Sequence, residues 1–470
     1  MRAFAAGYYD NLRKMYAYLG VEFAEPRFVY SVSELGSSST GKRKEDGTYF
    51  VHSSNNHIVP PIRPPGVGLL KWVVEVFYLF FWYTWFTAAC FWIWPASFSL
   101  RSFERNAADA EEGMSDAGTA ESLASYLTRI RLPSYYTNRY FLPLMSSVTT
   151  CTHDQLLSFP ASDIIGYACA TYRQPHYTIT RGVKQAEDKL SDGLKVRLNT
   201  KVTGVKTLED GRVHVSWTDL SHTKPEPTSS ADQNQQDEKT YNRVIIATTP
   251  DVVGMIFAPL SAAMKTIPTT PVTALVHRDA SNIEPISTSL SNNTRLRKRG
   301  IKSFDSSSSF SSDMGQDANM PLTAMHMLTD PSTAKTESIH EHPANVLVTT
   351  YALGHAVDEE KILHRVRFTR VLRSPRSRDL VNTLFTTPLS SSSHSKSRSE
   401  SRPGLATSAA EKDISEKGTE EGWTNGDGNV FLVGGWCWDG MVLLEGCIVS
   451  AIRVAQGFGV DVPWDDNPRT

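Results

Sequence analysis

The stretch that most constrains this chain lies near its end: Val430-Phe431-Leu432-Val433-Gly434-Gly435, then Trp436-Cys437-Trp438-Asp439-Gly440. Apolar residues running into a double glycine predict a short buried strand that meets a turn. Gly440 then opens a segment with apolar residues at Met441, Leu444, Ile448, Ile452 and Ala455, which is helical spacing. Strand, glycine turn and helix start together suit an anion or a polarised ring. The free backbone N–H groups and the positive helix end face the ligand, and glycine permits close approach. An ordinary strand–turn–helix packing unit carries the same pattern.

Upstream, His176-Tyr177-Thr178-Ile179 runs as an aromatic strand into Gly182 and a helix. Lys195–Asn199 and Lys201–Val205 read as strand material, Asp210-Gly211 as a hairpin turn, and Arg212–Trp217 as an alternating strand. Tyr241–Pro250 is a buried strand ending in the small residues Ala247, Thr248 and Thr249.

In this order the segments resemble the FAD-dependent amine-oxidase-like oxidoreductases. The phrase Gly440-Met441-x-Leu443-Leu444-Glu445-Gly446-Cys447 is similar to a subgroup of predicted FAD/NAD(P)-binding proteins. The resemblance spans Met1–Leu35, Ser146–Val253 and Val430–Val460. It implies an α/β, FAD-binding two-domain amine-oxidase-like fold, with an incomplete Rossmann-type domain and an α+β substrate domain. It also implies FAD as cofactor, Val202 at the adenine, and Ala247 and Thr248 near the pyrophosphate. Gly434, Gly435, Trp436, Gly440 and Met441 would lie at the flavin ring, with Cys437 and Trp438 beside the ring or the substrate. Two positions depart from the family: Gly435 replaces an acidic residue, and Val183 replaces a second glycine.

The opening, Arg2–Leu12, resembles a family segment that normally follows the first nucleotide-binding unit. No G-x-G-x-x-G follows a strand here, since Gly66-Val67-Gly68 leads into leucines and an apolar helix. Either the chain begins late, as from a shortened gene model, which is the expectation, or it has lost the fingerprint.

The most hydrophobic stretch is Trp72–Trp94, whose one formal charge is Glu75. Its length fits the ~20 residues that span a bilayer. Trp72, Trp92 and Trp94 sit at the ends as interfacial anchors would, but Tyr78, Trp82, Tyr83 and Trp85 occupy the middle. A membrane span, an interfacial helix beside a lipid-substrate entrance, and a buried core helix all remain open. The aromatic block Tyr135–Met145 either lines an apolar cavity or packs in the core.

The expected layout assigns 1–35 to a remnant of the FAD-binding domain, 36–66 to a linker and 67–95 to the hydrophobic helix. Residues 96–180 form a helical part of the substrate domain, and 181–255 return to the FAD-binding domain. The substrate domain resumes over 256–388, with helix Asp358–Phe368 and a disordered insertion near 287–315. A second insertion fills 389–428, the terminal unit is 429–460, and Leu220–Lys239 is a further polar insertion.

With 48 Lys+Arg against 50 Asp+Glu, no basic excess points to nucleic acid. Five cysteines without a CxxC pair read as free thiols of a domain facing the cytosol. His340-Glu341-His342, in a predicted polar loop, lacks further ligands for zinc, and no metal site is expected. His153-Asp154 could form a proton-transfer pair, but no G-x-S-x-G completes a hydrolase triad. The function expected is hydride transfer to FAD from an apolar or lipid-like substrate at a membrane, with no catalytic residue singled out. The rival is a catalytically inert, membrane-bound relic that does not bind FAD.

Overall fold

The computed structural model describes residues 3–36, 44–53, 61–64, 66–96, 120–220, 236–280, 322–342, 345–351, 353, 357–385 and 422–464. The insertion expected near 287–315 and most of that at 389–428 lie outside these residues.

Strand β1 (Phe4–Ala5) precedes helix α1 (Asp10–Tyr18), which turns Leu12, Met15 and Tyr16 inward. Gly20 ends it with φ +62°, so the Gly20 and Val21 N–H groups reach the carbonyls of Ala17 and Tyr16. Strand β2 (Phe23–Ala24) follows; β1 and β2 both pair with β5 (His176–Ile179).

A seven-stranded sheet carries much of the remaining chain. Its members are β3 (Arg27–Gly36), β4 (Lys44–Ser53), β10 (Thr269–His277), β11 (Leu322–Asp330), β12 (Lys335–His342), β13 (Val346–Thr350) and β14 (Ile362–Val371). They lie in the order β14-β10-β13-β12-β11-β3-β4. All neighbours are antiparallel except β3 and β11, which run parallel from Arg27 opposite Leu322. Part of the expected linker 36–66 is therefore strand. His340-Glu341-His342 sits in β12, not in a loop.

Residues 362–368 correct the expected helix over Asp358–Phe368. Ile362, Leu363 and Val366 fit a helical stripe, but Ile362, Val366 and Phe368 also fit a two-residue period. The ladder to β10, from Thr269 opposite Val371 to His277 opposite Ile362, decides for strand. Its exposed His364, Arg365 and Arg367 suit an edge strand that must not recruit further strands.

A helical layer holds a core that includes Leu79, Phe86, Tyr126, Leu142, Leu156 and Ile164. It contains α2 (Leu69–Trp92), α3 (Leu123–Arg129), α4 (Leu142–Thr149) and α5 (Ala161–Thr171). In α2, Glu75 accepts hydrogen bonds from the hydroxyls of Tyr135 and Tyr140, so the lone acid of an apolar helix is satisfied from the aromatic block. A π-helical turn, Thr137–Phe141, carries Tyr140.

A second region holds α6 (Lys184–Ser191) and a meander of β6 (Thr200–Thr207), β7 (Val213–Asp219) and β8 (Gln236–Tyr241). Residues 236–239, expected in an insertion, belong to β8. Lys195–Asn199 is not strand, because Asn199 takes a left-handed φ of +54° that interrupts the extended run. Two parallel strands, β9 (Val244–Ile246) and β15 (Val430–Leu432), pair beside the meander. Helix α7 (Pro375–Phe385) and the final helix α8 (Leu444–Gly457) complete it.

Candidate functional site

The site starts from β9 and β15, which run parallel from Val244 opposite Val430 to Ile246 opposite Leu432. Their carboxyl ends, Ala247-Thr248-Thr249 and Val433-Gly434-Gly435, lie side by side, the Val433 N–H donating to Ile246 O. Parallel strands place ligands outside such ends. Gly434 has φ +154°. A Cβ on Gly435 would stand 2.9 Å from Leu443 O, and one on Gly446 would stand 2.6 Å from Gly435 O. Only bare backbone lets the strand end touch the start of α8.

The tryptophan loop between them closes over a buried guanidinium. Arg373 Nη2 donates to the carbonyls of Trp436, Trp438 and Gly440 at 3.3, 2.8 and 3.1 Å. Its charge is balanced by Asp163, fully buried, which also accepts from Arg378 on α7. Met441 O receives the Trp438 indole N–H at 3.0 Å and the Tyr8 hydroxyl at 3.1 Å. These carbonyls are committed elsewhere, so the helix expected to open at Gly440 begins four residues later, at Leu444.

Glu445, in the first turn of α8, does not serve its own helix. Its carboxylate accepts from Asn11 N at 3.0 Å, Asn11 Nδ2 at 2.8 Å and Leu12 N at 3.0 Å, capping α1. Burial pushes the Glu445 pKa above its usual value, and the three hydrogen bonds offset this in part. A carboxyl with a raised folded pKa contributes stability that is full below the unfolded value of 4.5 and is lost as pH rises through the folded value. Urea denaturation across a pH series should show this decline, and Glu445→Gln should flatten it; an unchanged slope would refute the assignment.

The strand ends open into a cavity of about 2350 Å³. Ala247, Thr248, Gly434, Gly435 and Trp436 share its wall, and the Trp436 indole N–H donates to Thr248 O at 3.0 Å. The other predicted residues lie off that wall. Val202 stands at a bulge in β6 and is 37 % exposed. Gly440 packs against the Trp438 ring, and Met441 is buried in the helical core. Sequence reasoning missed Thr249, Leu443, Leu444, Cys447 and Arg370 in the wall, together with one side of α2 that includes Leu79, Phe80 and Phe86. The aromatic block also reaches it, through Tyr136, Tyr140 and Phe141.

Two titratable groups of the wall stay protonated at neutral pH. Burial pushes the Tyr167 hydroxyl up to about 12 and raises the Cys447 thiol. His153, the candidate for proton transfer, bonds Thr336 at 2.8 Å, and burial lowers its pKa. Among the described residues no group of three or more His, Cys, Asp or Glu could hold a metal ion.

Residues 83–457 match the family of flavin-containing amine oxidoreductases. The chain belongs to that family. It is an FAD-dependent oxidoreductase, with the two-domain amine-oxidase fold. A search of curated proteins returned no match. Among solved structures, putrescine oxidase bound to putrescine is similar at 11 % identity and a TM-score of 0.46, covering 97 % of this chain and 87 % of its own. Cyclohexylamine oxidase from Brevibacterium oxydans is similar at 9 % identity and a TM-score of 0.44, covering 97 % and 87 %.

Proposed function

We propose that this amine oxidoreductase family member oxidises a substrate with an apolar, lipid-like chain drawn from a membrane. One observation carries the reading: a single cavity joins the carboxyl ends of β9 and β15 to the apolar side of α2. A shared wall of this size exceeds the ~300–1,000 Å³ of an ordinary small-ligand pocket and leaves room for a cofactor and a chain-like substrate together.

The residues present fit the ring end of FAD. Gly434 and Gly435 offer backbone without Cβ atoms, and Ala247 and Thr248 keep the neighbouring strand end small. The start of α8 supplies partial positive charge, because Glu445 is spent on α1. Trp436 closes the wall on one side, pinned through Thr248 O. Gly440 and Met441 act from behind the wall, holding Trp438 and the loop in place. Val202 would serve the adenine end through β6. When bound, FAD supplies a two-electron acceptor for a hydride leaving the substrate. The protonated Tyr167 and Cys447 leave the chain's own contribution as orientation and exclusion of water.

The outer side of α2 supports the membrane partner. Phe77 and Phe81 are 70 % and 60 % exposed, and Leu70, Val74 and Trp92 are exposed beside them. The helix is also fixed to the protein: Trp85 donates to Ile130 O, and Tyr126 donates to Ala89 O. The helix is long and apolar enough to cross a bilayer, but these contacts favour a helix lying along the interface, with the body of the protein on the cytosolic side. The five free cysteines agree with that side.

Purified protein should carry flavin absorbance and float with phospholipid vesicles. The double substitution Phe77→Asp and Phe81→Asp should cut vesicle partitioning by at least about 100-fold while leaving flavin absorbance intact. Unchanged flotation would sink the membrane reading. A folded, colourless protein that takes up no added FAD would sink the cofactor reading.

A further inference from the structure

We propose that Arg370 receives the acidic end of the substrate, so that the ligand is an apolar chain ending in a carboxylate, its chain directed toward α2. The proposal rests on the substrate cavity assigned above and names the chemistry of the substrate's polar end.

Arg370 lies on β14, opposite Thr270, and lines the cavity. Two of its nitrogens are fixed by neutral acceptors: Nε donates to Thr149 O and Nη2 to Val442 O, both at 2.8 Å. Among the described residues no Asp or Glu lies within ion-pair distance of it, and no protein acceptor meets Nη1. Three other arginines of the same stretch are treated differently. Arg365 pairs with Glu359 at 2.8 Å, and Arg373 and Arg378 share Asp163. The wall does contain carboxylates, Glu25 and Glu341, yet neither pairs with Arg370; Glu341 accepts from His326 Nε2 at 2.8 Å.

A guanidinium stays charged in a protein, so an unbalanced one in a desolvated wall is costly unless an anion completes it. Burial indeed lowers the Arg370 pKa, with no carboxylate among the groups that oppose the shift. Backbone carbonyls fix the plane of the guanidinium and leave donors for a planar oxyanion.

The test compares two ligands with one chain and different heads. Oleate and oleyl alcohol, below their aggregation concentrations, are titrated into the full-length protein and followed by tryptophan fluorescence. Wild type should bind oleate about 10-fold to 100-fold more tightly than the alcohol. R370Q should lose this preference and keep its affinity for the alcohol. Because Arg370 also holds two carbonyls, R370K is measured beside it and should retain most of the preference. Equal affinities in wild type, or a preference kept by R370Q or lost equally by R370K, would overturn the role of Arg370. Binding of the alcohol in those cases leaves the apolar-substrate reading standing, whereas failure of both ligands overturns both.

Discussion

Replacing Asp163 with alanine is expected to lower folding stability by about 3–5 kcal/mol, the range for stripping one partner from a buried ion pair. The carboxylate faces Arg373 and Arg378, and neither it nor Arg373 has appreciable solvent access. Its removal leaves two cations in a low-dielectric interior without the carboxylate they share. The consequence should reach the site, since Arg373 is the group on which the Trp436, Trp438 and Gly440 carbonyls converge. Loss of flavin retention should therefore accompany the lower urea midpoint. A change of under about 1 kcal/mol, typical of an exposed pair, would show that the cluster is hydrated and does not organise the loop.

Gly446→Ala should be the second most damaging change, despite placing a better helix former inside a helix. The new Cβ would sit 2.3 Å from the Trp438 indole nitrogen and 2.6 Å from Gly435 O. The second is backbone, so either α8 or the strand end must move. Overpacking of this kind costs about 1–3 kcal/mol, against the ~1 kcal/mol gained from helix propensity. Gly166→Ala provides the control: it lies in α5, and nothing stands within 4 Å of its added Cβ. That substitution should stabilise the protein by up to about 1 kcal/mol. Thermal unfolding of both variants checks the pair, together with flavin absorbance. A stabilised Gly446→Ala protein that keeps its flavin would refute the contact between α8 and the strand end.

Part of the candidate wall was readable before the structure because its backbone requirements are local. A double glycine after an apolar run, and small residues at the end of Tyr241–Pro250, both announce close approach. The structure sets those two strand ends side by side. Arg370 gave no such signal. It is one of several arginines in Arg365–Arg378, and which of them finds a carboxylate depends on chain segments far away in sequence. Residues 358–368 misled for a related reason. Their apolar spacing satisfies two periods, and only the partner strand β10 selects one.

The residues by themselves determined the strand–glycine–helix unit and the long apolar segment, because each rests on composition or spacing within a short window; the family and FAD as cofactor followed from the resemblance carried by several segments in order along the chain. The tertiary structure decided where α8 begins, which face of α2 meets the cavity, and which buried charges are balanced. Those outcomes turn on hydrogen bonds and ion pairs between residues hundreds of positions apart, such as Glu445 with Asn11 and Arg373 with Asp163. No local pattern encodes such partners; they are selected only when packing removes water and every buried polar group must be answered.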